Sequence, residues 1–185
     1  MGVRIVAGKY GGIYLDVPES IRPTLSRHRE SLFSMLEAMG ENFFFGKIIL
    51  DCFAGSGALG LEAISRGADH VYFIDNDRDS ISVLKTNIQK LSEQENCITI
   101  CADARQLKTF REEHSCNLVF LDPPYSRNFS LEQIINTLLQ KRWISENTLL
   151  LLEQSVHDAE ELDFLVEIKT KKSGSSLFTL GKIRV

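Results

Sequence analysis

Four stretches of this chain place carboxylates, with small or stiff residues, directly after apolar runs. Asp51 opens DCFAGSGALG at 51–60, where Gly55, Gly57 and Gly60 are spaced G-x-G-x-x-G. Asp75 ends HVYFID at 70–75, twenty residues past Gly55. Asp103-Ala104 follows CITICA at 97–102, and Asp122-Pro123-Pro124-Tyr125 follows NLVFL at 117–121. A glycine turn between a strand and a helix lets a nucleotide-like ligand approach the backbone and the helix N-terminus. A carboxylate about twenty residues further on suits both hydroxyls of a ribose. Asp103 is placed to meet an adenine edge.

The DPPY stretch asks for different chemistry. Adjacent prolines end a strand, remove two backbone donors and stiffen the loop. A carboxylate, free carbonyls and an aromatic ring at one stiff turn suit a planar exocyclic amine on a nucleobase. Such an amine is a poor nucleophile because its lone pair is delocalised into the ring. Asp122 and the Pro123 carbonyl can each accept one N–H and turn the lone pair outward, while Tyr125 offers a stacking face. Proximity and alignment are worth up to about 7–11 kcal/mol in such a reaction.

The glycine turn by itself fits NAD as well, and so does Asp75. Asp51 tilts the choice, because a pyrophosphate at this turn would face its carboxylate at close range. S-adenosyl-L-methionine has no phosphate and carries an ammonium and a sulfonium, which a carboxylate favours.

The elements that must position these residues follow from hydrophobic periodicity. RIVAG and GIYLDV, joined across Gly8 to Gly12, predict a small hairpin. Leu32, Met35, Leu36 and Met39 predict one helical face ending at Gly40. Beyond it strands at 47–53, 70–75, 97–102, 117–122 and 148–154 alternate with helices at 56–67, 77–91, 104–113 and 130–142. A C-terminal antiparallel hairpin closes the sheet edge. Alternation of this kind predicts an α/β fold with a doubly wound, mostly parallel seven-stranded sheet, and a small N-terminal hairpin plus helix extension. We expect an extension at 1–40 and a main domain at 41–185. Ligands in such sheets bind beyond the carboxyl ends of the strands.

Composition is that of a globular protein: 43% hydrophobic and 25% charged over 185 residues. No apolar run is long enough to span a membrane, and no secretory signal is visible. The four cysteines form no Cys-x-x-Cys pair, so no metal is expected and free thiols in a reducing cytoplasm are. The net charge of −4 is uneven. Residues 1–35 hold five Lys and Arg against three acids, and 168–185 hold five and no acid, leaving −11 between them. Basic ends on an acidic body predict a polyanion face if both ends fold to one side. Phe43, Phe44 and Phe45 are expected in the core, and Glu153 is expected to cap or pair near the site.

The glycine turn, Asp75, Asp103-Ala104 and DPPY, in this order, resemble class I S-adenosylmethionine-dependent methyltransferases. RIVAGKYGGIYLDVP and IRPTLSRHRESLF narrow the resemblance to bacterial 16S rRNA guanine-N2 methyltransferases of the small-subunit methyltransferase D type, over Arg4 to about Gly181. The resemblance implies that Asp51, Phe53, Ala54, Gly55, Ser56, Gly57, Asp75, Asn76, Asp103 and Ala104 hold S-adenosyl-L-methionine. It implies that Asp122, Pro123, Pro124 and Tyr125 grip the target guanine, with Arg22, Pro23 and Thr24 over the cofactor. Arg22, Arg27, Arg29, Lys171 and Lys172 would meet RNA, and the partner would be 16S rRNA within the small subunit. A cytoplasmic monomer is expected. One position departs from the pattern: Ser175 stands after Gly174, where the family usually has an acidic residue. Three other readings stay open: an NAD-dependent oxidoreductase, a non-catalytic RNA-binding assembly factor, and a DNA adenine-N6 methyltransferase. The last usually carries a target-recognition insert for which this chain has little room.

Overall fold

Continuous apolar runs become the central strands, and segments with one apolar stripe become the covering helices. The computed structural model describes residues 2–18, 26–123, 130–157 and 159–184, with backbone only at 26–28. A two-stranded antiparallel hairpin, β1 (Val3–Arg4) and β2 (Tyr14–Leu15), precedes helix α1 (Ser26–Glu37). The main unit runs β3 (Ile48–Cys52), α2 (Ala58–Ser65), β4 (His70–Asp75), α3 (Arg78–Leu91), β5 (Cys97–Cys101), β6 (Leu118–Leu121), α4 (Leu131–Gln140), β7 (Leu149–Ser155), β8 (Leu165–Ser173) and β9 (Ser176–Ile183). The seven-stranded sheet has the order β5-β4-β3-β6-β7-β9-β8. Strands β3 to β7 are parallel, and β9 runs antiparallel between β7 and β8. The chain leaves β3 toward β4 and β5 and returns to β6 on its other side. The switch point therefore falls between β3 and β6.

Alternation along each strand builds two cores. Ile49, Phe73, Leu118, Phe120, Leu151 and Phe178 pack with the buried residues of α1, α2 and α3 on one face. Leu50, Tyr72, Val119, Leu121 and Leu152 pack with α4, Phe110 and Trp143 on the other. Local caps set the helix starts. Asp77 accepts from the Asp79 and Ser80 amides ahead of α3, and Ser130 accepts from the Gln133 amide at α4, where Glu160 also takes the Leu131 amide at 2.9 Å.

The N-terminal hairpin is bolted to α2 and α3. Glu62, fully buried in α2, accepts from the Val6 amide at 2.7 Å and the Ala7 amide at 3.1 Å. Gly8, at φ 79°, lies so close to α2 that an added Cβ would sit 1.8 Å from the Ser65 carbonyl oxygen. Only glycine fits there. The Tyr10 hydroxyl and Lys9 both reach Glu93, Lys9 at 2.9 Å. In RIVAGKY, then, the residue types match a docking job.

Three sequence expectations change. Helix α1 ends at Glu37, before Gly40, and Met39 is exposed on the turn beyond it. Phe43 and Phe44 are buried, Phe44 with its ring 5.3 Å from that of Phe33, but Phe45 is 76% exposed. The helix expected at 104–113 is a single 3-10 turn, Ala104–Gln106. Leu107 and Phe110 still reach the core, because the Phe110 amide is held by the Lys141 carbonyl at 2.8 Å and its ring stacks on Trp143 at 4.3 Å. Their spacing of three reflects a shared destination and no helical face.

Candidate active site

Strand β3 ends by turning sharply. Phe53 sits at φ 74°, a left-handed conformation unusual for an aromatic residue. The Phe53 and Ala54 amides both donate to the Ile74 carbonyl, at 2.9 and 3.0 Å, so the turn is tied to β4. The Gly55 amide donates to Asp75 at 2.8 Å, and the Asp77 amide takes the other Asp75 oxygen at 2.9 Å. Asp75 is thereby fixed at the carboxyl end of β4, with one lone pair left on each oxygen for a ligand. Gly57 and Gly60 are small for packing reasons. A Cβ at Gly57 would lie 2.3 Å from Leu84 Cδ1, and one at Gly60 would lie 2.3 Å from Phe73 Cε1.

Asn87, buried in α3, was not singled out by the sequence. It accepts from the Asp16 amide at 2.8 Å and donates to the Asp16 carbonyl at 2.9 Å and the Ser56 carbonyl at 3.0 Å. One side chain thus joins the hairpin's end to the glycine turn. A lone Asn on a helix carries no signal that would have found it.

A shallow cleft opens beside the turn, lined by Phe53, Ile74, Asp75, Asn76, Ala102, Asp103 and Ala104. Of the residues expected to hold a cofactor, the structure brings Phe53, Asp75, Asn76, Asp103 and Ala104 to this cleft, whereas Asp51, Ala54, Gly55, Ser56 and Gly57 are not in its lining. No Lys or Arg is among the described residues of this lining. Asp103 caps the 3-10 turn and receives Arg105 on both oxygens, at 2.6 to 3.1 Å. The Arg105 guanidinium holds the Asp103 carboxyl below the usual carboxylate range. An adenine amine arriving at Asp103 must therefore share it with Arg105.

Asp51 is 2% exposed and points under the turn, where it accepts from the Gly60 amide at 2.8 Å. Burial, partly offset by that amide and reinforced by the Asp75 charge, pushes its carboxyl up to about 7. A carboxyl that is half protonated near neutrality repels a phosphate less than a full charge would. The described lining of the cleft presents a ligand with the Asp75 and Asp103 carboxylates, the latter already paired with Arg105.

Asp122 follows β6 at the switch point, half-buried. Alternation puts it two residues past Phe120, on the face that also carries Asp51, paired with Phe120, and Glu153, paired with Phe178. A second, small cleft is lined by Asp122 and Glu153 with Leu32, Leu59 and Phe178 among its walls. Burial, then the Glu153 and Asp51 charges, raises the Asp122 carboxyl well above the usual carboxylate range. Pro123 is described, whereas Pro124 and Tyr125 lie outside the described residues. Among the described residues no group of three or more His, Cys, Asp and Glu is placed to hold a metal ion.

The basic residues separate. Arg22, Pro23 and Thr24 lie outside the described residues, as does the side chain of Arg27. Arg29 corrects the sequence reading: it is 1% exposed, donates to the Arg4 carbonyl and is buried near Glu62. Burial lowers its guanidinium pKa, and no phosphate reaches it there. Lys9 is engaged by Glu93 beside Ser65, toward the amino end of β4. Lys182 pairs with Leu149 at the amino end of β7. Lys171 pairs with Phe178 and Lys172 with Leu177, level with Glu153 and Gln154 at the carboxyl ends. Among the described cations named here, Lys171 and Lys172 stand at the carboxyl-end side of the sheet. At the β8–β9 turn the Ser175 carbonyl accepts from the Val156 amide at 2.9 Å.

The family model described as conserved hypothetical protein 95 matches residues 3–182. The ribosomal RNA small subunit methyltransferase D of Escherichia coli is 37% identical over 158 residues, covering 84% of this chain and 76% of that protein. The solved structure of yhhF from Escherichia coli superposes with a TM-score of 0.84 at 32% identity, over 100% of this chain and 99% of that one. The magnesium protoporphyrin IX methyltransferase of Synechocystis, solved with bound SAM, shares the fold at a TM-score of 0.62 and 17% identity, over 86% of this chain and 79% of that one. With its Rossmann-like sheet and these matches, the chain is a methyltransferase that belongs to the bacterial small-subunit methyltransferase D family.

Proposed function

We propose that this protein transfers a methyl group from S-adenosyl-L-methionine to the exocyclic N2 amine of a guanine in 16S rRNA, within the small ribosomal subunit. The observation that carries the reading is the position of Asp122, at the switch point and on one face with Asp51 and Glu153. The name of the Escherichia coli relative supports rRNA as the substrate class.

The cleft residues fit the cofactor. Asp75 offers carboxylate oxygens to a ribose, and Ile74, Ala102 and Ala104 give apolar walls to a purine. S-adenosyl-L-methionine, when bound, supplies an electrophilic methyl carbon on a sulfonium. Asp122 and the Pro123 carbonyl orient the amine by accepting its two N–H groups, and Tyr125 stacks on the base. Asp51 acts through its field, since its carboxylate is turned to Gly60. Lys171 and Lys172 take the RNA backbone that flanks the target. The residues 1–40 form an extension on a main domain at 41–185, and the protein works as a cytoplasmic monomer.

The test offers labelled S-adenosyl-L-methionine with unmodified small subunits, free 16S rRNA and duplex DNA, alongside calorimetry with S-adenosylhomocysteine and NAD. Label in the small subunit, with S-adenosylhomocysteine binding, is the expected result. Label only in DNA replaces the substrate. NAD binding without S-adenosylhomocysteine binding overturns the class. Particle binding with no transfer makes the protein an assembly factor.

A further inference from the structure

Glu153 and Ser176 are buried polar residues that the reaction described above does not use. Glu153 lies on β7, whose Leu152 pairs with Leu121 of β6, so it neighbours Asp122 across the two strand ends. Both line one small cleft, with apolar walls from Leu32, Leu59 and Phe178. The Ser176 hydroxyl, from β9, donates to Glu153 at 2.7 Å. The amide of Val156 also holds the turn just before Ser176, at 2.9 Å from the Ser175 carbonyl. The hydroxyl is therefore placed by the β7–β9 pairing and by the turn together.

We propose that Glu153, held by Ser176, is a positioning residue that makes Asp122 the acceptor for the proton shed by the methylated amine. The inference rests on the methyl-transfer reading of this site. In the transfer, the amine nitrogen forms a bond to the methyl carbon as the carbon–sulfur bond breaks. That bond's electron pair stays on sulfur, which leaves as a thioether. The nitrogen becomes a secondary ammonium and gives one proton to the Asp122 carboxylate, keeping its electron pair. Asp122 then returns the proton to water.

The Ser176 hydroxyl fixes the Glu153 carboxyl beside Asp122, and a negative charge there raises the proton affinity of that neighbour. A proton acceptor works best with a pKa near the operating pH. The direction found for Asp122, raised by burial and then by Glu153 and Asp51, agrees. Among the described residues, the charged groups that act on Asp122 are Glu153 on β7 and Asp51 on β3, with Asp75 on β4 acting on Asp51. Lys171 shares the face on β8, about 10 Å from Glu153 across two strand spacings.

The test is a carboxyl titration by carbon-13 NMR on the full chain, without cofactor or RNA, in wild type, Glu153→Gln and Ser176→Ala. Glu153→Gln keeps the shape and the acceptor for Ser176 and removes the charge. It should lower the Asp122 step by about one unit or more. Ser176→Ala keeps both carboxyls and releases Glu153 from its place beside Asp122, so the Asp122 step should move downward, by less than in Glu153→Gln. Where both proteins transfer methyl groups, the acid limb of the pH–rate profile should move with the Glu153→Gln shift. An Asp122 step unmoved by Glu153→Gln overturns the proposal. If that variant does not fold, Ser176→Ala decides: a downward shift of the Asp122 step supports the proposal, and an unmoved or raised step overturns it. Shifts as expected in a wild type that transfers no methyl group would remove the methyl-transfer reading and keep the coupled pair.

Discussion

Asp51→Asn probes the centre of the site through stability. The Asp51 carboxyl is pushed up to about 7 by burial, against about 4 in an unfolded chain. Because the folded protein holds this proton more tightly, the carboxyl stabilises the fold most when protonated. Its contribution is complete below about pH 4, is lost as pH rises toward 7, and is constant above that. Between pH 5 and pH 8 the linkage relation gives a loss of about 3 kcal/mol from this one group. The asparagine amide would keep an acceptor for the Gly60 N–H and would not titrate. Urea unfolding of both proteins at pH 5 and pH 8 measures the difference. The wild type should lose about 3 kcal/mol more than the variant across that interval. Parallel pH dependence within about 0.5 kcal/mol would refute the view of Asp51 as a buried, largely uncompensated carboxyl. The same group has a functional consequence. Only its ionised form attracts an ammonium or sulfonium, so S-adenosyl-L-methionine should bind more tightly at pH 8 than at pH 6 in wild type, with less change in Asp51→Asn.

Other substitutions test the supports of the site. Gly8→Ala would drive a methyl group to 1.8 Å from the Ser65 carbonyl at a left-handed φ, and should lower urea stability by about 2 kcal/mol or more. Asn87→Ala would leave the Asp16 amide and two carbonyls without their partner, at a cost of about 2–3 kcal/mol by urea unfolding, and should weaken S-adenosylhomocysteine binding through the Ser56 turn. Lys171→Ala with Lys172→Ala should reduce the salt slope of RNA binding by about 1.4, the value for two single-strand phosphate contacts. Arg29→Met should leave that slope unchanged, since a buried guanidinium meets no phosphate.

Strand ends were the most legible part of this chain. Apolar runs fixed β3 to β7, and the carboxylates just past them fall where an open α/β sheet puts its ligands. Asp75 and Asp122 could be placed this way because sheet topology alone dictates their position. Burial depth was not legible. Asp51 and Arg29 are charged residues of ordinary appearance, and only packing shows that one lies under the glycine turn and the other against the Arg4 carbonyl. The glycines were read as making room for a ligand, whereas Gly57 and Gly60 also make room for Leu84 and Phe73. The 104–113 segment misled because Leu107 and Phe110 mimic a helical spacing while an extended chain carries both to Trp143. Asn87, Glu62 and Ser176 act through partners 23 to 71 residues away, and no local pattern marks such contacts.

The most direct test of the central claim is nucleoside analysis of small ribosomal subunits, lacking the modification, after incubation with labelled S-adenosyl-L-methionine and either wild type or Asp122→Ala. The account predicts label in N2-methylguanosine with the wild type and its loss in Asp122→Ala, with S-adenosylhomocysteine affinity retained. Label in any other nucleoside, or N2-methylguanosine formed equally by Asp122→Ala, would contradict it.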